Sequence, residues 1–195
     1  MREIIRLVIV LSVICGVAAG ALTLARQTLS ERIELQSDFY VRGPALERLF
    51  NRPAAELLVN KITYASDGRL YPIFYWKEGD DVAGLAIEAA GQGGYGGDIM
   101  IMIGVDLKAE KIIGIEIIEH KETPGVGSQV EKMSFRRQWS GLSVEQPVQL
   151  GQQIDAISGA TYSSRAVVAG TNVVVDLMTS HRQDILAAIE QEKHQ

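Results

Sequence analysis

The feature that most constrains this chain is an uncharged apolar run near its amino terminus. The run extends from Leu7 to Ala25 and lies between Arg6 and Arg26. As an α-helix it would be about 28 Å long, close to the thickness of the hydrocarbon core of a bilayer. The run therefore predicts a membrane-spanning helix, and residues 1–27 are assigned to a transmembrane anchor.

A cleaved signal peptide is the alternative to a retained anchor. Ala18, Ala19 and Ala21 resemble the small residues of a signal cleavage site. The apolar run is longer than the usual core of a signal peptide, so its length favours the anchor. Charge leaves the orientation open, because two arginines precede the run and two follow it closely.

The rest of the chain is long enough for one domain with its own core. Its net charge of −5, with no block of Lys and Arg, argues against nucleic acid as a partner. Cys15 is the only cysteine, which excludes an intrachain disulfide and the cysteine-rich iron–sulfur and zinc patterns. The histidines, His120, His181 and His194, are scattered, so no metal site is predicted.

Residues 28–70 are predicted to form a helical connector and the entry to the domain. The apolar spacing indicates a helix over 28–41, and Pro44 suits the first turn of a short helix that ends at Phe50. Residues 71–195 form the predicted domain. Within it, β-branched, aromatic and other apolar residues predict strands over 71–77, 82–90, 99–107 and 111–119.

Short turns between these strands predict an antiparallel arrangement, with connections at Glu78–Asp81 and Lys108–Glu110. The strand over 99–107 is apolar on both faces, which predicts a buried inner position. In the next strand, Glu116 interrupts the apolar pattern and predicts that one face is partly wet.

The carboxyl-terminal part is predicted to be mostly helical from Ser164 to Ile189, with a weak point at Gly170-Thr171-Asn172. A smaller helix and turn carry Phe135, Trp139 and Leu142, whose spacing indicates core packing. The predicted fold class is therefore α+β: one amino-terminal transmembrane helix, then one domain with a mainly antiparallel sheet flanked by helices.

Two loops between the predicted strands and helices carry residues that suit a ligand. Residues 91–98 contain five glycines and Tyr95, which predicts either a flexible connection or a surface for a planar group. A phosphate-binding P-loop is excluded, because no Lys-Ser/Thr pair follows and a strand comes next. The segment from His120 to Ser128 offers the polar atoms of Glu122 and Thr123 beside the small apolar Val126.

The chemistry is predicted to lie at Asp155-Ala-Ile-Ser-Gly-Ala-Thr161-Tyr-Ser-Ser164, a tight connection that leads into a helix. Gly159 and Ala160 allow a ligand to approach the backbone, and the hydroxyls of Thr161, Ser163 and Ser164 could cap the helix. The unpaired amides at a helix start favour a phosphate, next to which Thr161 offers its hydroxyl for a covalent bond. A capped helix without a ligand is the alternative.

No set of nucleophile, base and orienting residue is predicted in these loops. Ser158, His120 and Asp155 have the residue types of a triad, but no nucleophile-elbow sequence surrounds the serine. His120 is expected to bond locally instead of acting as a base.

Together, Glu122-Thr-Pro-Gly-Val-Gly127 and Asp155-Ala-Ile-Ser-Gly-Ala-Thr161 resemble the FMN-binding domain family. In this family a flavin transferase joins FMN to the last threonine of the second motif through a phosphoester. The resemblance therefore implies covalent FMN on Thr161. It departs from the family at Val126, where leucine is common, and this change keeps an apolar contact.

The resemblance also implies roles for the other motif residues. Ser158, Gly159 and Ala160 are expected to shape the attachment turn, and Asp155 to be recognised by the flavin transferase or to cap a turn. The residues expected to border the flavin ring system are Glu122, Thr123, Pro124, Gly125 and Val126.

In its order of elements, anchor and size, the chain is similar to the G subunit of Rnf complexes, which couple ferredoxin–NAD electron transfer to ion movement. This implies an electron carrier among other membrane and redox subunits in the cytoplasmic membrane. Its amino terminus would be cytoplasmic and its domain extracytoplasmic. The alternatives are the C subunit of a sodium-translocating NADH:quinone reductase, a non-redox anchored scaffold, and a soluble-type flavin reductase.

Overall fold

A computed structural model describes residues 1–79 and 81–192, so Asp80 of the predicted turn and His194 lie outside the described residues. The α-helices are α1 Arg2–Ser37, α2 Gly43–Phe50, α3 Ala54–Leu58, α4 Met133–Arg136, α5 Thr161–Ser180 and α6 Arg182–Glu192. A π-helical segment spans Asp38–Arg42, and 3-10 helices span Gly127–Glu131 and Arg137–Trp139.

The five strands form one sheet in the order in which they occur along the chain, and each neighbouring pair is antiparallel. They are β1 Lys61–Ser66, β2 Arg69–Glu78, β3 Asp81–Gly91, β4 Ile99–Asp106 and β5 Lys111–Glu119. The predicted α+β class is confirmed, and four of these strands lie close to their predicted bounds. The sequence analysis missed β1, whose burial alternates only weakly.

Helices cover both faces of the sheet. Side chains on a strand point alternately to opposite sides, so each strand contributes residues to two apolar clusters. Ile87, Ile101 and Ile103 join the larger core cluster, to which α5 and α6 contribute. Met102 points the other way, into a smaller cluster with α2 and α3. The prediction that the third predicted strand is buried on both faces is thus confirmed for β4.

The apolar run lies within α1, which is 36 residues long. In the part of the chain that the structure describes, Arg2–Ser30 is the one stretch of helix with the length and composition to cross a membrane. The contacts within the chain divide it into two compact units, Met1–Tyr40 and the part from Val41 onwards. The predicted division placed residues 28–70 outside the domain, whereas α2 and β1 belong to the second unit.

Glu116 on β5 is buried, although its charge led to the prediction of a partly wet face. The residue is only 5% exposed, so its carboxylate is shielded from water even though other residues of β5 are partly exposed. Its carboxylate accepts a hydrogen bond from Nε of Arg48 at 2.8 Å and a second, short one from Nη1 of Arg136. Two guanidinium groups from α2 and α4 therefore replace water around a charge that the sequence pattern alone would leave exposed.

A close approach of backbones holds α5 against β3. A Cβ atom at Gly91 would lie 2.1 Å from the carbonyl oxygen of Ala166, whereas one at Gly114 on β5 would meet only a Leu49 methyl at 3.5 Å. A backbone oxygen cannot rotate away, so α5 can pack this closely only on glycine.

We therefore expect Gly91→Ala to lower the free energy of unfolding by about 2–3 kcal/mol through overpacking. Urea unfolding of the full chain in detergent, followed by the fluorescence of the buried Trp76 and Trp139, measures this change. Gly114→Ala is the matched control and should change the unfolding free energy little. Equal effects of the two substitutions would contradict the proposed contact.

Candidate functional site

Three connections meet at one end of the sheet. The first joins the end of β3 at Gly91 to the start of β4 at Ile99. The second leaves β5 at Glu119, which pairs with Met100 at the start of β4. The third is the turn before α5, and Ser163 in the first turn of α5 contacts the second connection. The antiparallel register therefore brings together loops that lie far apart in the sequence.

A cavity of about 210 Å³ lies between these connections. It is lined by Tyr95, Glu122, Thr123, Val126, Gly127, Gly159, Ala160, Tyr162 and Ser163. Five of the residues predicted to border the flavin or shape its turn are in this set, as is Tyr95. Pro124, Gly125 and Ser158 belong to the same loops without lining the cavity.

Glu122 joins all three connections through one buried carboxylate. Its Oε1 accepts a hydrogen bond from the backbone N–H of Gly96 at 2.9 Å, and its Oε2 accepts one from the Ser163 hydroxyl at 2.6 Å. The side chain is 5% exposed. Because each oxygen accepts a hydrogen bond from a different connection, Glu122 holds the loops in position while it also lines the cavity.

Glycine is required where the loops approach Glu122. A Cβ atom at Gly96 would lie 1.9 Å from the carbonyl oxygen of Lys121. One at Gly127 would lie 2.4 Å from Oε2 of Glu122. These distances are far below ordinary van der Waals contact, so the glycine-rich loop is a packed part of the site and not only a flexible connection.

His120 makes local contacts, as predicted. Its Nδ1 accepts a hydrogen bond from the backbone N–H of Glu122 at 3.1 Å, so Nε2 carries the proton and faces Oε1 of Glu131 at 3.0 Å. Both ring nitrogens are thus used to hold the start of the second loop, and His120 is not itself a residue of the cavity lining.

A tight turn leads into α5. The N–H of Ala160 donates to the carbonyl oxygen of Ile157 at 2.9 Å, and Gly159 has a φ of 80°. This is the third position of the turn, where a type II turn needs positive φ and therefore favours glycine. The buried hydroxyl of Ser164 accepts from the N–H of Ile157 and donates to the carbonyl of Ala160, both at 3.0 Å.

The helix start differs from one prediction. Ala160 is the N-cap residue of α5 and no side chain of the described residues caps the helix, so none of the three candidates, Thr161, Ser163 and Ser164, acts as the cap. The reason is that Ser163 binds Glu122 and Ser164 binds the preceding turn. The amides of the first helical turn are left without a capping oxygen.

Thr161 is the first residue of α5 and is exposed. Its hydroxyl has no hydrogen-bond partner among residues 1–79 and 81–192. Next to it, Tyr162 lines the cavity and is 62% exposed, with the guanidinium carbon of Arg165 5.9 Å from its ring centre. Tyr162 had no predicted role, although its place directly after Thr161 is a signal that could have identified it.

Asp155 lies at the start of the third connection, away from the cavity lining. Gln138 holds its backbone, with Oε1 accepting from the Asp155 N–H at 2.7 Å and Nε2 donating to the Asp155 carbonyl at 3.4 Å. The residue is exposed, and its carboxylate has no partner within the described ranges. It caps no turn there.

Comparison with known proteins gives this site its context. The family model of the FMN-binding domain matches residues 94–176, a range that begins within the first connection and includes the other two. The chain is 35% identical over 121 residues to the G subunit of the ion-translocating oxidoreductase complex of Shewanella piezotolerans, covering 57% of this chain but only 56% of that protein.

Two further relatives align over nearly their whole length. The G subunit of the ion-translocating oxidoreductase complex of Methanosarcina acetivorans is 30% identical, with 92% of this chain and 96% of that protein covered. The G subunit of the Na(+)-translocating ferredoxin:NAD(+) oxidoreductase complex of Acetobacterium woodii is 26% identical, with 90% and 92% covered. The chain belongs to the family of G subunits of ion-translocating oxidoreductase complexes, whose members include these relatives, and it carries an FMN-binding domain.

Proposed function

We propose that this chain is a membrane-anchored electron-transfer subunit that carries FMN as a phosphoester on Thr161. It would serve an Rnf-type complex, an ion-translocating ferredoxin:NAD oxidoreductase. The observation that carries this proposal is the position of Thr161. Its exposed hydroxyl, which has no partner among the described residues, lies at a helix start that none of their side chains caps, beside a cavity that both sequence motifs line.

The residues at the start of α5 suit the phosphate of FMN. The amides of Thr161, Tyr162 and Ser163 point out of the first helical turn, where the helix dipole favours negative charge. No side-chain oxygen among the described residues caps α5, so these amides remain available to a phosphate at the helix start. The phosphate would receive hydrogen bonds from amides next to the hydroxyl that esterifies it.

The other lining residues suit the flavin ring. Tyr95 is 78% exposed and Tyr162 is 62% exposed, so both aromatic faces are available to a planar group. Val126 adds a small apolar surface on the second loop, 43% exposed. The hydrogen bonds of Glu122 hold the three connections in a fixed arrangement, which orients the flavin ring. No side chain needs to form or break a covalent bond during electron transfer.

Bound FMN supplies the redox chemistry, and this chain supplies position and surroundings. Covalent attachment is useful because a noncovalent site with micromolar affinity is worth only about 8 kcal/mol, and released FMN would be diluted outside the cytoplasm. The anchor raises the effective concentration of the domain near its partner subunits. The isolated subunit is therefore expected to carry electrons without turning over a substrate of its own.

This function assigns the chain to the cytoplasmic membrane, with the amino terminus cytoplasmic and the domain extracytoplasmic. The partners are the other membrane and redox subunits of the complex and, during maturation, a flavin transferase. Asp155 suits recognition by the transferase, because its exposed carboxylate has no partner in the part of the chain that the structure describes.

Intact mass spectrometry of the subunit isolated from its native membrane tests the proposal. We expect the mass of the polypeptide plus one phosphoester-linked FMN, and peptide mapping should locate the addition on Thr161. A denaturing gel viewed under ultraviolet light should show a fluorescent band. A mature subunit that weighs only what its amino acids predict would favour the scaffold alternative.

A further inference from the structure

A second pocket lies away from the proposed flavin site, between α2, β5 and the segment that contains α4. Its volume is about 240 Å³. Three arginines, Arg48, Arg136 and Arg137, line it, with Glu116 as the only acidic residue of the lining. We call it the arginine pocket. Nothing in the proposed electron transfer at Thr161 requires it.

The arginine pocket has more positive charge than its own carboxylate neutralises. Glu116 is bonded to Arg48 and Arg136, while Arg137 is exposed and has no hydrogen-bond or ion-pair partner among the described residues. Three guanidinium groups against one carboxylate leave a surplus of two positive charges. This surplus stands out on a chain whose net charge is −5.

The three arginines differ in what the fold needs from them. Arg136 is 13% exposed and neutralises the buried carboxylate of Glu116, so it has a structural role in the fold. Arg48 is half-exposed and shares that role. Arg137 has no such task in the fold, which makes it the residue that separates a binding role from a structural one.

Apolar atoms lie beside the positive charges. Leu49 and Ile113 belong to the pocket lining, and Met133 on its rim is 61% exposed. Arg and Met are enriched at protein interfaces, where a mixed apolar and charged patch fits a protein better than a bare phosphate. The pocket also lies on β5, which is the last strand of the sheet. The Gly141–Ser143 segment pairs with Lys111 and Ile112 at the start of this strand.

We propose that the arginine pocket binds an acidic segment of a partner subunit, with Arg137 holding a carboxylate of that segment. The planar fork of a guanidinium matches a carboxylate with two parallel hydrogen bonds. The surplus charge also steers an acidic partner toward this face, and such steering weakens as salt rises. The inference rests on the proposed membership in a multi-subunit complex, but not on the flavin.

Zero-length cross-linking in the native membrane complex tests the contact. Arg137→Lys supplies an amine that a carbodiimide can join to a carboxylate in contact with it. We expect a cross-linked product that contains residue 137 and an Asp or Glu of a partner subunit, identified by peptide mass spectrometry. The matched control is Arg69→Lys, an exposed position at the start of β2, near the opposite edge of the sheet.

We expect at least tenfold more product from the variant at position 137 than from the one at position 69. Equal yields would overturn the proposal. Cross-linking only to the carboxyl group of phosphatidylserine would also overturn it, because the occupant would then be a lipid headgroup.

Charge reversal gives a second measurement. Arg137→Glu should lower the recovery of partner subunits with the tagged full chain about tenfold at low salt, whereas Arg69→Glu should leave recovery unchanged. The fluorescent subunit band should persist in both variants, which shows that the domain still folds and receives FMN. Unchanged recovery with Arg137→Glu would contradict the inference alone. Failure of the unsubstituted chain to recover any partner would contradict complex membership as well.

Discussion

Thr161→Ala is expected to abolish covalent FMN completely, because the substitution removes the oxygen atom that forms the phosphoester. The fold should persist, since Thr161 is exposed at the first position of α5 and its hydroxyl bonds to no described residue. Surface substitutions of this kind usually change the free energy of unfolding by less than about 0.5 kcal/mol. Coexpression with the flavin transferase, followed by intact mass and in-gel fluorescence, measures the effect.

Thr161→Ser is the matched control, because it keeps the hydroxyl and removes only a methyl group. We expect it to retain covalent FMN, with a yield set by how well the transferase accepts serine in place of threonine. Ser163→Ala removes the other hydroxyl near the helix start, which donates a hydrogen bond to the buried Glu122. It therefore distinguishes the role of that hydroxyl from the role of the Thr161 hydroxyl. Covalent FMN on another residue in the Thr161→Ala variant would refute the assignment.

Glu122→Ala should have the largest effect on stability of the substitutions considered. The carboxylate accepts hydrogen bonds from Gly96 and Ser163 at 2.9 and 2.6 Å, and both donors would lose their acceptor. Hydrogen bonds to charged groups contribute about 1.5–3 kcal/mol each, so we expect the loss of two to lower the free energy of unfolding by about 3–6 kcal/mol. Urea unfolding of the full chain in detergent measures this loss.

Loading with FMN should fall in the same variant, because Glu122 ties the start of α5 to the other two loops. Glu119→Ala is the control, with the same charge change at an exposed position at the end of β5. A double-mutant cycle between Glu122→Ala and Ser163→Ala should give a coupling energy above about 1 kcal/mol, as expected for residues in direct contact. Additive effects would show that the two side chains do not stabilise each other.

Local pattern was enough to predict most elements of the fold. Strands β2 to β5 are dense in apolar residues, and short turns join β2 to β3 and β4 to β5, so the antiparallel pairing of these two pairs follows from the chain order. Strand β1 was missed although it contains Ile62-Thr-Tyr64, because it is short and only one of its residues is buried, so no continuous apolar pattern marks it. A mostly helical segment from Ser164 to Ile189 was also predicted. In the structure the helix begins three residues earlier, at Thr161, and the break at His181 between α5 and α6 was not predicted.

The weak point predicted at Gly170-Thr171-Asn172 lies in the middle of α5 and is a site of contact. A Cβ atom at Gly170 would lie 2.9 Å from the backbone nitrogen of Gly91. Thr171 accepts a hydrogen bond from Nε1 of the buried Trp139 at 2.8 Å, and Asn172 pairs with the backbone of Val148. Glycine, threonine and asparagine have low intrinsic helix propensity, and these tertiary contacts compensate for the free-energy cost of placing them within a helix.

By itself, the sequence determined the apolar anchor segment, the α+β class and the two motifs that place Thr161 at a helix start. These features depend on spacing between near neighbours, which the chain displays directly. Only the tertiary structure decided which charges are buried and what neutralises them. Glu116 and Glu122 look like surface residues in their strand and loop, yet each is buried against partners more than 15 positions away. The cost of removing a carboxylate from water depends on those distant partners, and no local pattern contains them.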